Sequence, residues 1–148
     1  MKSLKFLLVL SVVLLVSACK KDSEDLIVGD WKVASLIISG CSDPEDNAII
    51  NFTDGCYKES EEGFEFEVCM SVTFTSDGRY TFTTRMIIFG QTQTETETGT
   101  YTIKGNILRL CDTDGDCDEG EFTVTSNTLT FKGEEEDTGC KTELRLVK

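Results

Sequence analysis

The chain has 148 residues, a length that favours one domain, and carries 27 acidic against 14 basic residues for a formal net charge of −13. That surface repels nucleic acid, so no nucleic-acid partner is expected. There is no histidine, which removes Ser-His and Cys-His catalytic pairs, imidazole metal ligands and a histidine pH switch.

Residues 1–18 read as a targeting segment. Lys2 and Lys5 precede an apolar run from Phe6 to Val16, broken by Ser11. The run is shorter than the roughly 20 residues a membrane-spanning helix needs, and has the flanks of a signal-peptide core. It ends in Val16-Ser17-Ala18-Cys19. These four residues resemble the lipobox of bacterial lipoproteins. The resemblance implies cleavage before Cys19, diacylation of its thiol and acylation of the new N-terminus. Several acyl chains hold a protein stably at a membrane, since each buried CH₂ contributes about 0.8 kcal/mol. The expected address is therefore the bacterial envelope, with the lipid in the outer membrane. Residues 19–25 form a polar tether, and 26–148 the domain.

Seven cysteines is an odd number. With Cys19 lipidated, Cys41, Cys56, Cys69, Cys111, Cys117 and Cys140 remain. In an oxidising envelope these suggest up to three disulfides, with the connectivity open. A zinc cluster would want a close CxxC pair, which the chain lacks. Proximity favours Cys41 with Cys56 and Cys111 with Cys117, leaving Cys69 with Cys140.

The domain reads as β almost throughout. Residues 26–39 open a first strand, and a short helical turn fits near 43–48. Phe64, Phe66, Val68, Met70, Val72 and Phe74 alternate with polar residues over 64–74. Ser76-Asp77-Gly78 is a turn, and Tyr80, Phe82, Thr84, Met86 and Ile88 share a face of the next strand. Residues 91–103 alternate Thr with Gln, Glu and then Tyr101 and Ile103. Further strands are expected at 107–110, 121–125, 128–131 and 142–147. Eight or nine antiparallel strands without crossover helices close most economically as an up-and-down barrel, because closure removes exposed edges. An open β-sandwich is the alternative.

Gly29-Asp30-Trp31 resembles the Gly-x-Trp start of lipocalins, whose Trp closes the barrel floor. The runs Thr73 to Tyr80, Gly99 to Ile103, Asn127 to Thr130 and Leu144 to Leu146 resemble bacterial lipocalin-like lipoproteins. The resemblance implies a barrel of about eight strands over residues 26–148, with Trp31 on its floor. The chain departs from true lipocalins in lacking their Thr-Asp-Tyr motif and C-terminal helix. In lipocalins an arginine covers the Trp ring; Arg145 is the residue to consider, but its parity opposes Leu144 and Leu146.

Three groups are candidate sites. Phe74, Tyr80, Phe82, Met86 and Tyr101 belong to an aromatic stripe that either packs as core or lines a calyx for a small apolar ligand. Asp112, Asp114, Asp116 and Asp118 alternate as Ca²⁺ ligands can, although Cys117 occupies the position where an EF-hand needs Gly. The competing reading is an acidic hairpin tip, with no cofactor. Gln91, Gln93, Glu95 and Glu97 fall on the face of Tyr101 and either line the barrel mouth or belong to a protruding hairpin solvated on both faces, the reading we favour. Nothing pairs these carboxylates with a nucleophile or orienting group, so no enzyme is expected. The sequence thus predicts a monomeric lipid-anchored barrel binding a small apolar molecule. The alternative is a filled barrel whose acidic loops meet another protein.

Overall fold

Alternation of apolar and polar residues becomes ten antiparallel strands in one continuous sheet. The computed structural model describes residues 22–61, 64–134 and 138–148. The targeting segment and Cys19 lie outside the described residues, as does the side chain of Phe64. A one-turn helix α1, Ser23–Ile27, leads into β1, Gly29–Ser39. A 3₁₀ turn at Pro44–Asp46 precedes β2, Ala48–Asn51, and β3, Cys56–Glu61. Then come β4 (Phe64–Phe74), β5 (Arg79–Ile88), β6 (Gln91–Lys104), β7 (Ile107–Asp112), β8 (Cys117–Val124), β9 (Thr128–Glu134) and β10 (Lys141–Val147).

Strands β4 to β10 run as a meander, each paired with the next, and β10 pairs with β1. The circle closes where Gly29–Lys32 of β1 pairs with Phe74–Ser71 of β4. This makes an eight-stranded closed barrel with two extra strands, so the sandwich alternative falls. Closure holds at one end only. Between Val33 and Ser35 the register of β1 on β10 shifts, leaving Ala34 as an extra residue. Beyond this bulge β1 pairs with β2, and the first half of β4 pairs with β3. The barrel wall therefore splits toward the other end, and β2 and β3 edge the split.

The core sits at the closed end. Trp31, Ile27, Val33, Leu108, Leu129 and Leu146 are the largest fully buried side chains. Phe74 meets Tyr101 edge-on at 5.1 Å between ring centroids. Trp31 donates its indole N–H to the Ile27 carbonyl at 2.6 Å, which ties α1 to the floor. The sequence reading began a strand at residue 26. The helix wins there because its last turn supplies this carbonyl and buries Ile27. The cation over Trp31 is Lys148, with Nζ 4.4 Å from the ring centroid, and not Arg145. The same ammonium donates to the carbonyls of Leu26 and Val28. Gly29 at φ 127° lets the chain turn beneath the Lys148 stem, in a conformation that other residues rarely adopt.

Three disulfides form, and two of the expected pairings are corrected. Cys41 bonds Cys140, Cys56 bonds Cys69, and Cys111 bonds Cys117 as expected. Cys56 and Cys69 face each other across β3 and β4, as Cys111 and Cys117 do across β7 and β8. The expected pairs fail because Cys41 and Cys56 lie on either side of β2 and Cys56 begins β3, elements the sequence reading did not resolve. β2 carries Cys41 and Cys56 apart, and β3 sets Cys56 opposite Cys69.

Candidate functional site

Above the packed floor the barrel is not filled. A cavity of about 350 Å³ opens between β1, β4 to β6 and β7 to β10. Its lower wall is the core itself: Val72, Phe74, Tyr80, Leu108, Leu129 and Leu146. Its upper wall is Leu36, Phe82, Leu110, Phe131 and Leu144, which are only partly buried. Glu97 and Asp118 bring carboxylates to its rim, on the parity of Phe82 and Leu110, while Glu119 and Glu134 border it from the opposite parity. The pocket is thus apolar below and acidic above.

Strand register explains the lining. Val72 faces Phe82 and Phe74 faces Tyr80 across β4 and β5, so the inward parity read from the sequence holds. On β6, Glu97 lies opposite Phe82 and Gly99 opposite Tyr80. A Cβ built at Gly99 would sit 2.1 Å from the Cys111 carbonyl and 2.6 Å from the Tyr80 ring. Glycine is required here so that Tyr80 can lie across β6. The Tyr80 hydroxyl then donates to Glu97 Oε1 at 2.9 Å. Burial, reinforced by the neighbouring Glu97 carboxylate, pushes the Tyr80 phenol well above its ordinary value, so it stays a neutral donor. Burial likewise raises Tyr101, with further contributions from Glu24 and Asp77.

The five proposed lining residues divide. Phe74, Tyr80 and Phe82 line the cavity. Tyr101 instead packs in the core and donates its hydroxyl to the Thr75 carbonyl at 2.8 Å. Met86 sits further along β5, near Ile88 and Phe89, on a part of the sheet that projects past the barrel rim. There β4, β5 and β6 extend beyond β7, whose pairing with β6 covers only Gly99–Lys104. Val68 and Met70 face Met86 and Thr84, so the calyx wall continues upward as a half-exposed apolar face. Phe89 turns the tip of this hairpin at φ 51°, a backbone region uncommon for a bulky residue, and is 69% exposed. Trp31 belongs to the floor core and not to the cavity lining.

In the Asp112 to Asp118 stretch the carboxylates stand apart from one another. Asp112 Oδ1 accepts from the backbone N–H groups of Asp114, Gly115 and Asp116, at 2.9, 2.8 and 2.9 Å. That one oxygen holds the hairpin turn that Cys111 and Cys117 staple. No three of these acidic groups bring oxygens within ligand-sharing range, and Asp118 turns to the cavity rim. Among the described residues, Cys56, Glu67 and Cys69 alone come that close. The two sulfurs are bonded to each other, and Glu67 holds Lys58 at 3.0 Å and Arg85 at 3.7 Å. They offer no thiolate to a metal.

The sequence reading missed Leu36, Leu110, Leu129, Phe131 and Leu144, all on β1 or the last four strands. The signal was present in Leu108 and Leu110, which alternate with outward Arg109. With about half the wall drawn from short strands, no single run announced it.

These features meet in comparison with known proteins. A profile described as a lipocalin-like domain matches residues 27–131. The chain belongs to this lipocalin-like family. A lipocalin-like protein from Bacteroides uniformis aligns at 13% identity and TM-score 0.46, over 81% of this chain and 97% of that one. An uncharacterized protein from Bacteroides eggerthii aligns at 12% identity and TM-score 0.36, over 80% and 98%. No curated protein matches the chain. The lipocalin-like assignment thus agrees with the closed barrel and with the glycine and tryptophan of its floor.

Proposed function

We propose that this lipocalin-like protein is a lipid-anchored envelope carrier for a small amphipathic molecule. One observation carries the reading: the calyx is packed at the floor but open above it, with a volume of about 350 Å³. That volume lies at the lower end of small-molecule sites, which span roughly 300–1,000 Å³ and are mostly apolar with a few polar groups. The apolar wall suits a short hydrocarbon body. The rim carboxylates of Glu97 and Asp118 suit a cationic or hydrogen-bond-donating head. An anionic head would meet repulsion from both.

Anchoring rests on the lipobox-like residues before Cys19. Cys19 precedes Asp22 by three residues, a reach of about 11 Å at full extension. The helix that follows packs at the closed end, so the open mouth would face away from the bilayer.

Titration of the purified chain with a fluorescent alkylamine and with the fatty acid of equal length tests the reading. Saturable binding of the amine, lost in Leu110→Trp with its bulk in the cavity, is expected. Equal binding of both probes would overturn the head-group assignment. Binding of neither, with the fold intact, would overturn the carrier reading.

A further inference from the structure

The projecting half of β6 has a partner on one side only. Gln91–Thr98 pairs with β5, while β7 joins β6 only from Gly99 onward, and all eight residues are exposed. Among the described residues no strand covers this edge. Protected edges usually carry Lys, Pro or a bulge, or are kept short. Over Gln91-Thr92-Gln93-Thr94-Glu95-Thr96-Glu97 this edge has no Lys, Pro or bulge, and its register on β5 is unbroken. Its charges are Glu95 and Glu97, which deter a partner strand unless that strand sets a neutral donor against each.

The stretch is complementary to itself. In an antiparallel pairing with a two-fold axis at Thr94, Gln91 meets Glu97 of the second copy, and Gln93 meets Glu95. Thr92 meets Thr96, and Thr94 meets Thr94. Every carboxylate faces a carboxamide, and no like charges oppose. A two-fold at Glu95 would set that carboxylate against itself, and one at Thr96 would set Glu95 against Glu97 twice. Backbone direction agrees. The Tyr101 N–H points to the Gly78 carbonyl on the β5 side, at 2.8 Å. By alternation the odd residues of β6 bond toward β5, and Thr92, Thr94 and Thr96 direct their N–H and C=O groups to the open edge. The Gln and Glu residues then fall at the non-hydrogen-bonded pairs, whose side chains approach most closely. Gln93 Nε2 donates to Glu95 Oε1 within one chain, at 2.9 Å, which shows the two side chains acting as donor and acceptor.

We infer that β6 is a homodimerisation edge, joining two copies through antiparallel strand addition centred on Thr94. This departs from the monomer expected from sequence. It does not require the carrier reading: the backbone groups that join the copies lie in the sheet plane, and of the edge residues Glu97 alone also borders the calyx.

The test uses the full chain in non-denaturing detergent, with Cys19→Ser to exclude that thiol. Under mild oxidation Thr94→Cys is expected to give a covalent dimer on a non-reducing gel, at least ten-fold above Thr92→Cys, which has no matching thiol. Thr92→Cys with Thr96→Cys should restore cross-linking. Sedimentation of the Cys19→Ser chain without these cysteines should show twice the chain mass, and Gln93→Glu should weaken the dimer about ten-fold. Equal cross-linking from Thr92→Cys and Thr94→Cys, or a monomer at every concentration, would overturn the inference.

Discussion

Lys148 lies over Trp31, its ammonium 4.4 Å from the ring centroid and bonded to two carbonyls of the segment that enters the barrel. One cation thereby joins the end of the last strand to the floor tryptophan and to the last turn of α1 and the residue after it. Lys148→Met keeps the stem but removes the charge, and should cost about 1 kcal/mol. Lys148→Arg should retain most of it. Trp31 is the sole tryptophan, so its emission during denaturant unfolding reads both the loss and the local change.

The disulfides should differ in worth according to the chain they close. Cys41–Cys140 spans 99 residues, Cys56–Cys69 spans 13 and Cys111–Cys117 spans 6. Loop-closure entropy gives about 4–5, about 3 and about 2 kcal/mol respectively. Paired Cys→Ser variants, compared by denaturation midpoint, should follow that order. A larger loss at Cys111–Cys117 than at Cys41–Cys140 would contradict it.

Phe74 and Phe82 share a face but should respond differently. Phe74 is 3% exposed and packed among Tyr80 and Tyr101. Phe74→Ala should cost about 3–5 kcal/mol. Phe82 borders a space already open, so Phe82→Ala should cost about half as much or less and should alter probe retention instead. Denaturation midpoints and alkylamine affinity, measured on both variants, separate floor from calyx.

Alkaline pH should unfold the protein through Tyr80. Its folded phenol is held well above the ordinary value of 10.0, by burial and by Glu97. Above that ordinary value the unfolded chain loses the proton while the folded one keeps it. The stabilisation is complete below about pH 10 and falls as pH rises toward the folded value. Tyr80→Phe should therefore flatten the decline in denaturation midpoint between about pH 9 and 11. An unchanged slope would assign the decline elsewhere, with Tyr101 the next phenol to replace.

The barrel was legible because its longest strands alternate cleanly. Val72, Phe74, Tyr80 and Phe82 declared their inward face, and Gly29 with Trp31 declared the floor. β2 and β3 were not legible. Ala48–Asn51 is four residues long, and Cys56–Glu61 is largely polar because β3 is an edge strand. Without them the disulfide partners could not be deduced. Lys148 escaped because packing over a ring depends on where β10 ends relative to β1. The open upper calyx was beyond sequence altogether, since parity states which side chains point inward and not whether they meet.

The bulge at Ala34 assigns β1 a singular part in assembly. From β4 to β10 every strand can zip onto its sequence neighbour through a short turn, at small entropic expense. β1 alone must find two distant partners, the tail of β4 and all of β10. Loop-closure entropy therefore weighs most on β1, and little of it can be recovered until both seams form. The closing seam with β4 spans only Gly29–Lys32, four residue pairs, no longer than the shortest hairpin ladder of the meander, and no turn ties its two strands together. Among the ladder-bonded amides of the barrel, this seam should therefore be the one whose exchange reports opening of the floor without unravelling of the meander.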